Sequence, residues 1–320
     1  MRLLTLSFVL LFSASCFAQS ENLLLEKKLI SDYSKFPVYK HLVEDGQWKE
    51  AYSYLEDIEM YAITYLSEGL KVMGLLVKPK GKEKLPAIIY NRGGNREFGQ
   101  LVISTGLLTL GEIAKEGYVV IASQYRGVVG GEGQEQFGGD DINDVLALID
   151  VLAEIEEADT QRIGMLGWSR GGMMTYLALA KSDKIKAAAV GGAVSDLEAM
   201  VKDRPDFEEH VLGELIPNYK ENRETELNKR SALQWADQLN AKTPLLILHG
   251  TSDWRVKPEQ SLKMAMELDR LRRPYRLIMF EGGDHGISEH KDERTSQVLS
   301  WFNRYLKNDE ELPDTEFHGK

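Results

Sequence analysis

Gly167-Trp168-Ser169-Arg170-Gly171, with Gly172 behind it, constrains this chain more than any other stretch. An apolar run, Ile163-Gly164-Met165-Leu166, leads into it, and a helical run from Met173 to Leu179 leaves it. A serine between a strand and a helix on so sharp a turn takes a strained backbone. Glycines two residues to either side remove the Cβ atoms that would collide there. The Ser169 hydroxyl is then exposed, and the first N–H groups of the helix face any negative charge that develops beside it. The pentapeptide therefore demands a sheet whose strand feeds directly into a helix.

The surrounding sequence supplies that sheet. From Leu85 onward, short apolar runs bounded by glycine, proline or polar residues predict strands at Ala87–Tyr90, Tyr118–Ser123, Ile163–Leu166, Ala187–Val190, Leu245–Leu248 and Arg276–Phe280. Helical patterns fall between or after them, at Ile142–Ile155, Gly171–Ala180, Pro258–Leu271 and Arg294–Leu306. Such alternation implies a mostly parallel sheet with helices on both faces. Two further β-like runs, Met60–Leu66 and Leu70–Val77, flank Ser67-Glu68-Gly69 and predict an antiparallel hairpin. Together they specify an α/β-hydrolase fold: a mostly parallel eight-stranded sheet with a helical cap insertion over about 197–240. That insertion is charged, helix-prone and punctuated by Pro205 and Pro217. The catalytic domain is expected to span 56–310, with a polar tail over 311–320. Leu23, Leu24, Leu25, Leu29 and Ile30 predict an N-terminal helical extension within 19–55, ended or turned at Pro37.

A nucleophilic serine needs a base, and the base needs an orienting carboxylate. In this fold both follow the serine in the chain. Of six histidines, His285 lies in Glu281-Gly282-Gly283-Asp284-His285-Gly286, immediately after the strand at 276–280. Catalytic groups gather at such carboxyl-end loops. His318 falls in the charged tail and His290 at a polar helix start, while His41, His210 and His249 precede the best acid. That acid is Asp253, in the loop after Leu245–Leu248; Asp196 is the alternative. His249 is expected to brace the Asp253 loop. The oxyanion hole is expected to use the Arg170 backbone N–H and one from Gly94 or Gly93. Arg92 and Arg96 are candidates for binding a substrate carboxylate or assisting the oxyanion, or else for pairing with the acidic cap, and Trp168 is a further candidate for substrate contact. No HExxH or clustered His/Asp pattern implies a metal, and no G-x-G-x-x-G follows the first parallel strand, so no cofactor is expected.

The net charge of −11 argues against nucleic acid, whose phosphates an acidic surface repels. The opening residues have another purpose. Met1-Arg2, the apolar run Leu3–Phe12 and the small residues Ser13–Ala18 form a signal-peptide pattern, with cleavage expected before Gln19. The alternative is lipidation of Cys16, the only cysteine, although Ser13 stands where that signal prefers a large aliphatic residue. The protein is accordingly expected to be exported, periplasmic or secreted, without a membrane span after the leader. Cleavage at Ala18 would leave a chain unable to form a disulfide or to use a thiol.

Several stretches together resemble the catalytic domain of the prolyl-oligopeptidase family. They are Leu85–Tyr90 leading into Arg92-Gly93-Gly94, then Gln124-Tyr125-Arg126-Gly127, then Gly138–Val145, then the serine motif, then His249-Gly250-Thr251-Ser252-Asp253. The resemblance runs from about Met60 to Leu306. It implies a serine peptidase with Ser169 as nucleophile, Asp253 as acid and His285 as base. The roughly 40 residues between Ala18 and Met60 are too few for the β-propeller that peptide-cleaving members usually carry. The expected substrate is a small molecule or a short peptide or ester, cleaved through an acyl-enzyme. A carboxylesterase on a small substrate remains a second reading, and an idle binding protein on the same scaffold a third.

Overall fold

The computed structural model describes residues 22–319. Nine strands form one sheet: β1 (Leu24–Leu29), β2 (Ile58–Ser67), β3 (Leu70–Pro79), β4 (Leu85–Asn91), β5 (Val119–Ser123), β6 (Ala158–Trp168), β7 (Ile185–Gly191), β8 (Leu245–Gly250) and β9 (Tyr275–Phe280). Their spatial order is β1-β2-β3-β5-β4-β6-β7-β8-β9. β1, β2 and β3 are antiparallel, β3 meets β5 antiparallel, and every later pair is parallel. All six expected parallel strands and the expected hairpin are present. Glu68 and Gly69 both have positive φ, 51° and 80°, as a two-residue turn matching the strand twist requires.

The N-terminal extension departs from expectation. Leu24–Leu29 is an edge strand and not a helix, and it raises the sheet from eight strands to nine. The hairpin explains this. β2 would otherwise present an unpaired row of backbone groups, and the 23–30 segment satisfies them, with Leu66 N donating to Leu23 O and Ile30 N to Met60 O, both at 2.8 Å. Glu154 fixes its start by accepting from the Leu23 and Leu24 amides at 2.6 and 3.1 Å. The ladder outweighs a local helical pattern worth only tenths of a kcal/mol per residue.

Side chains alternate across the parallel strands. Ile89, Val119 and Ile121 face one core with α2 (Ile142–Val151), α3 (Arg170–Lys181) and α6 (Glu259–Arg270), through Val145, Met173 and Met264. Ile88, Val120 and Ala122 face the other, with α1 (103–114) and α7 (Lys291–Phe302), through Leu110 and Phe302. The α1 crossover was not among the expected helices; Gly106 and Gly111 interrupt its pattern, and it carries a wide turn over Gly106–Leu110. The insertion after β7 is helical, with α4 (Leu197–Asp203), a short run over 205–215 and α5 (Tyr219–Lys229). No helix among the described residues is long and apolar enough to cross a membrane. The stretch over 1–18 read as a signal peptide lies outside the described residues.

Strand order places the site. The chain runs from β4 outward to β5, then back across β4 to β6. The loops leaving β4 and β6 therefore depart side by side, from Asn91 and Gly167, which are paired in register. A crevice opens at such a reversal, outside the carboxyl ends of the strands.

Candidate active site

Ser169 stands between β6 and α3 with φ 60° and ψ −123°, a conformation costly for a residue with a side chain. Its N–H donates to Gly191 O at 2.8 Å. The flanking glycines are required by contact: a Cβ on Gly167 would lie 2.1 Å from Gly171 O, and one on Gly171 1.9 Å from Asn91 O. The nucleophile turn is thus wedged against the β4 exit with no room for side chains.

His285 leaves the end of β9 and Asp253 the end of β8. His285 Nδ1 lies 2.7 Å from Asp253 Oδ2. Asp253 Oδ1 accepts from the Arg255 and Val256 amides at 2.8 and 3.0 Å. His249, fully buried, has Nε2 at 2.9 Å from Val256 O and 3.2 Å from Asp253 Oδ2. Both neighbours of Nε2 are acceptors, so that nitrogen carries a hydrogen, and Nδ1 accepts from Ser261 Oγ at 2.6 Å. His249 therefore braces the Asp253 loop as expected. Burial pushes the Asp253 pKa up, but the hydrogen bonds from His249 and His285, the charge of His285 when protonated and the Val256 amide outweigh it. The carboxyl is held well below its usual range. Asp196 has a different role: it caps α4, accepting from Ala199 N at 3.0 Å.

Asp253 engages Nδ1, which leaves Nε2 of His285 as the nitrogen able to exchange a proton with Ser169. Both residues line one cavity of about 510 Å³. Trp168 lines it too, but its indole Nε1 donates to His285 O at 2.8 Å and its ring lies beneath the Arg294 guanidinium. It positions the histidine loop.

The β4 exit loop borders the serine. Gly93 sits closest: a Cβ there would be 3.0 Å from Trp168 O and 3.2 Å from the Ser169 Cβ. Gly94, with φ 72°, turns its carbonyl to Arg170 Nη1 at 3.0 Å. Behind this loop lies a cluster of buried charges. Arg170 pairs with Glu135 and, at 2.5 Å, with Asp141. Arg92 donates to Gln124 O at 2.8 and 3.0 Å and lies 3.4 Å from Glu135. The two guanidiniums lie 4.6 and 4.9 Å from the Tyr125 ring centroid, whose hydroxyl donates to Arg92 O. Buried guanidiniums need such partners.

This corrects the substrate-binding expectation for Arg92. It is 1% exposed, and its guanidinium is committed to internal acceptors. Arg96 takes the other course considered for it, pairing with Glu214 of the cap at 2.5 Å. The sequence reading missed Glu135 and Asp141 as supports of the nucleophile loop, because nothing in their local pattern shows a partner 29 or 35 residues away. The Arg126 and Asp144 stretches are likewise joined, by bonds of 2.8 Å from both the amide and the guanidinium of Arg126. Cap residues Met200, Arg204, Phe207 and Val211 line the cavity, whereas Glu208 and Arg223 pair with each other within the cap.

A serine elbow, an Asp–His pair at successive strand ends and a mixed sheet wrapped by helices define an α/β-hydrolase. The chain belongs to the prolyl oligopeptidase family, whose profile matches residues 108–309, and it is a serine-type peptidase. It is 29% identical over 248 residues to "Uncharacterized peptidase YtmA" of Bacillus subtilis, covering 77% of this chain and 94% of that one. An acylaminoacyl peptidase from Pyrococcus horikoshii shares 28% identity at a TM-score of 0.68, over 82% of this chain and 44% of its own. A puromycin-hydrolyzing peptidase of Mycobacterium tuberculosis shares 26% at 0.68, over 82% and 41%. The chain thus spans nearly all of one relative but less than half of the solved ones.

Proposed function

We propose that this protein is an exported peptidase that cleaves the acyl bond of small acylaminoacyl or short peptide amides through an acyl-enzyme on Ser169. The observation that carries this reading is the 2.7 Å Asp253–His285 pair, whose histidine shares a cavity with a strained, half-buried serine. In the first step Ser169 Oγ attacks the carbonyl carbon while His285 Nε2 takes its proton. Asp253, held as a carboxylate, fixes the imidazole tautomer and stabilises its charged form. The backbone N–H of Arg170 and one from Gly94 or Gly93, in the loop beside the serine, are the oxyanion donors in this reading. As the C–N bond breaks, His285 returns the proton to the departing amine. Water, deprotonated by the same histidine, then releases the acid and restores Ser169. Relatives named for acylaminoacyl and puromycin hydrolysis support the amide reading. Export is supported by the basic start, apolar run and small residues before Gln19.

A fluorophosphonate probe should label the wild type and not Ser169→Ala. A panel of acylaminoacyl anilides against short and long acyl esters should then give its highest kcat/KM on an anilide. Labelling of Ser169→Ala would reject the assigned nucleophile, and a preference for esters would reject the peptidase.

A further inference from the structure

The loop that carries His285, residues 281–290, is tied down on both sides of the histidine. Before it, Gly282 N donates to Thr251 Oγ1 at 2.8 Å, and Gly283 O accepts from Ser252 N at 2.9 Å. A Cβ on Gly250 would lie 2.2 Å from Gly283 O and 2.4 Å from Asp284 O, so this loop and the loop of Asp253 touch backbone to backbone. After it, Arg294 Nη1 donates to Gly286 O at 2.5 Å, beside the Trp168 bond to His285 O. These contacts fix the flanks of the loop. They do not by themselves turn the chain between the flanks.

Asp284 makes that turn. Its Oδ1 accepts from Gly286 N at 2.8 Å and from Ser288 N at 2.9 Å, and its Oδ2 from Ser288 Oγ at 3.1 Å. Its own N–H donates to the Glu289 carboxylate at 2.9 Å, and its carbonyl accepts from Ile287 N at 3.0 Å. The chain therefore closes on itself around His285. The two amides on Oδ1 flank Ile287, which has φ 52° and ψ 46°, a left-handed conformation that a β-branched residue rarely takes. Such a backbone persists only where its surroundings over-determine it. Here the Asp284 carboxylate holds the amides on either side, while the Ile287 side chain is fully buried in the core shared by α1 and α7. Asp284 forms no ion pair among the described residues, so its charge is spent on backbone donors. The Ser288 amide first of all holds its carboxyl below the usual carboxylate range, which keeps it a charged and strong acceptor at neutral pH.

We propose that Asp284 is a positioning residue for the catalytic base. Through the Gly286 and Ser288 amides its carboxylate sets the direction in which His285 leaves the loop, and so the approach of the imidazole to Asp253 and Ser169. This rests on the acyl-hydrolase reading of the site. Asp284 is not among the residues lining the catalytic cavity, so its effect falls on the reacting geometry and not on ligand binding.

Two measurements on Asp284→Ala and Asp284→Asn test this. The first is the rate of inactivation by a fluorophosphonate, resolved into kinact and KI. The second is the far-downfield proton resonance of His285 Nδ1–H on Asp253, identified by its loss in His285→Gln. In Asp284→Ala, kinact should fall by about 10²-fold, the loss expected when a reacting group is misplaced by about an ångström. KI should stay within about twofold, as for a group that touches no ligand. The downfield resonance should broaden or disappear. Asp284→Asn keeps an oxygen that can accept both amides, so it should retain kinact to within about threefold and keep the resonance. A wild-type kinact in Asp284→Ala, a lowered kinact with the resonance unchanged, a loss confined to KI, or an Asp284→Asn as slow as Asp284→Ala would each overturn the proposal. The resonance requires no turnover, so it decides the positioning role separately. Failure of the probe to label the wild type would instead reject the hydrolase reading.

Discussion

Asp253 shows how a single carboxylate is kept ready for its task. Its folded pKa lies below the unfolded value, near 3.9 for an ordinary aspartate. The stability it contributes is therefore complete above about pH 4 and is lost as pH falls toward its folded pKa. Asp253→Asn should unfold at lower urea concentration than wild type at pH 7, with the gap narrowing at pH 3. An equal gap at both would show that the carboxylate charge is not what stabilises. Asp253 does not titrate where imidazoles do, so turnover should fall on the acid side in a single one-proton step as His285 is protonated. Ser169→Ala and His285→Ala should lower kcat by about 10⁶-fold and Asp253→Asn by about 10⁴-fold, with circular dichroism unchanged. These three residues were legible in the sequence because each follows directly on an apolar strand. Arg92 was not, because its side-chain direction is set by Gln124 O, on a different strand exit. Glu135→Gln should leave two buried guanidiniums short of charge and cost about 3–5 kcal/mol in urea unfolding. A loss below about 1 kcal/mol would show that the cluster is not a support.

At the scale of elements, the parallel strands and the hairpin were readable because their burial is dictated by local runs and turn residues. β1 was not: its leucines fit a helix as well as a strand, and its exposed pattern carries little signal. Only the unpaired edge of β2 decides between them, and that edge lies more than 30 residues on. Removing residues 19–30 should lower the melting temperature by several degrees and increase light scattering on warming, since β2 becomes the edge. Unchanged scattering would mean that β2 is protected by other means. The cap was readable as helical, but its inner face was not. Of the insertion's charged residues, Glu208 and Arg223 pair with each other, and Met200, Phe207 and Val211 reach the cavity with Arg204.

For the molecule as a whole, the proposed export predicts a mature N-terminus at Gln19, and intact-mass measurement on protein from the native host decides it. A diacylglyceryl group on Cys16 would place the protein on a membrane surface instead. The strand order has a further consequence, for kinetics. Ser169, Asp253 and His285 come from three strand exits separated by helical crossovers, and the β4 loop beside them precedes all three in the chain. Long-range parallel pairing is slow to form, since loop closure precedes its reward. During refolding from urea, fluorophosphonate reactivity should therefore return with the slowest phase that restores native tryptophan fluorescence, well after far-ultraviolet helix signal. Reactivity appearing with the helices would mean that β6 and α3 assemble their turn alone. If it returns last, the covalent probe counts only molecules whose sheet is complete from β4 to β9.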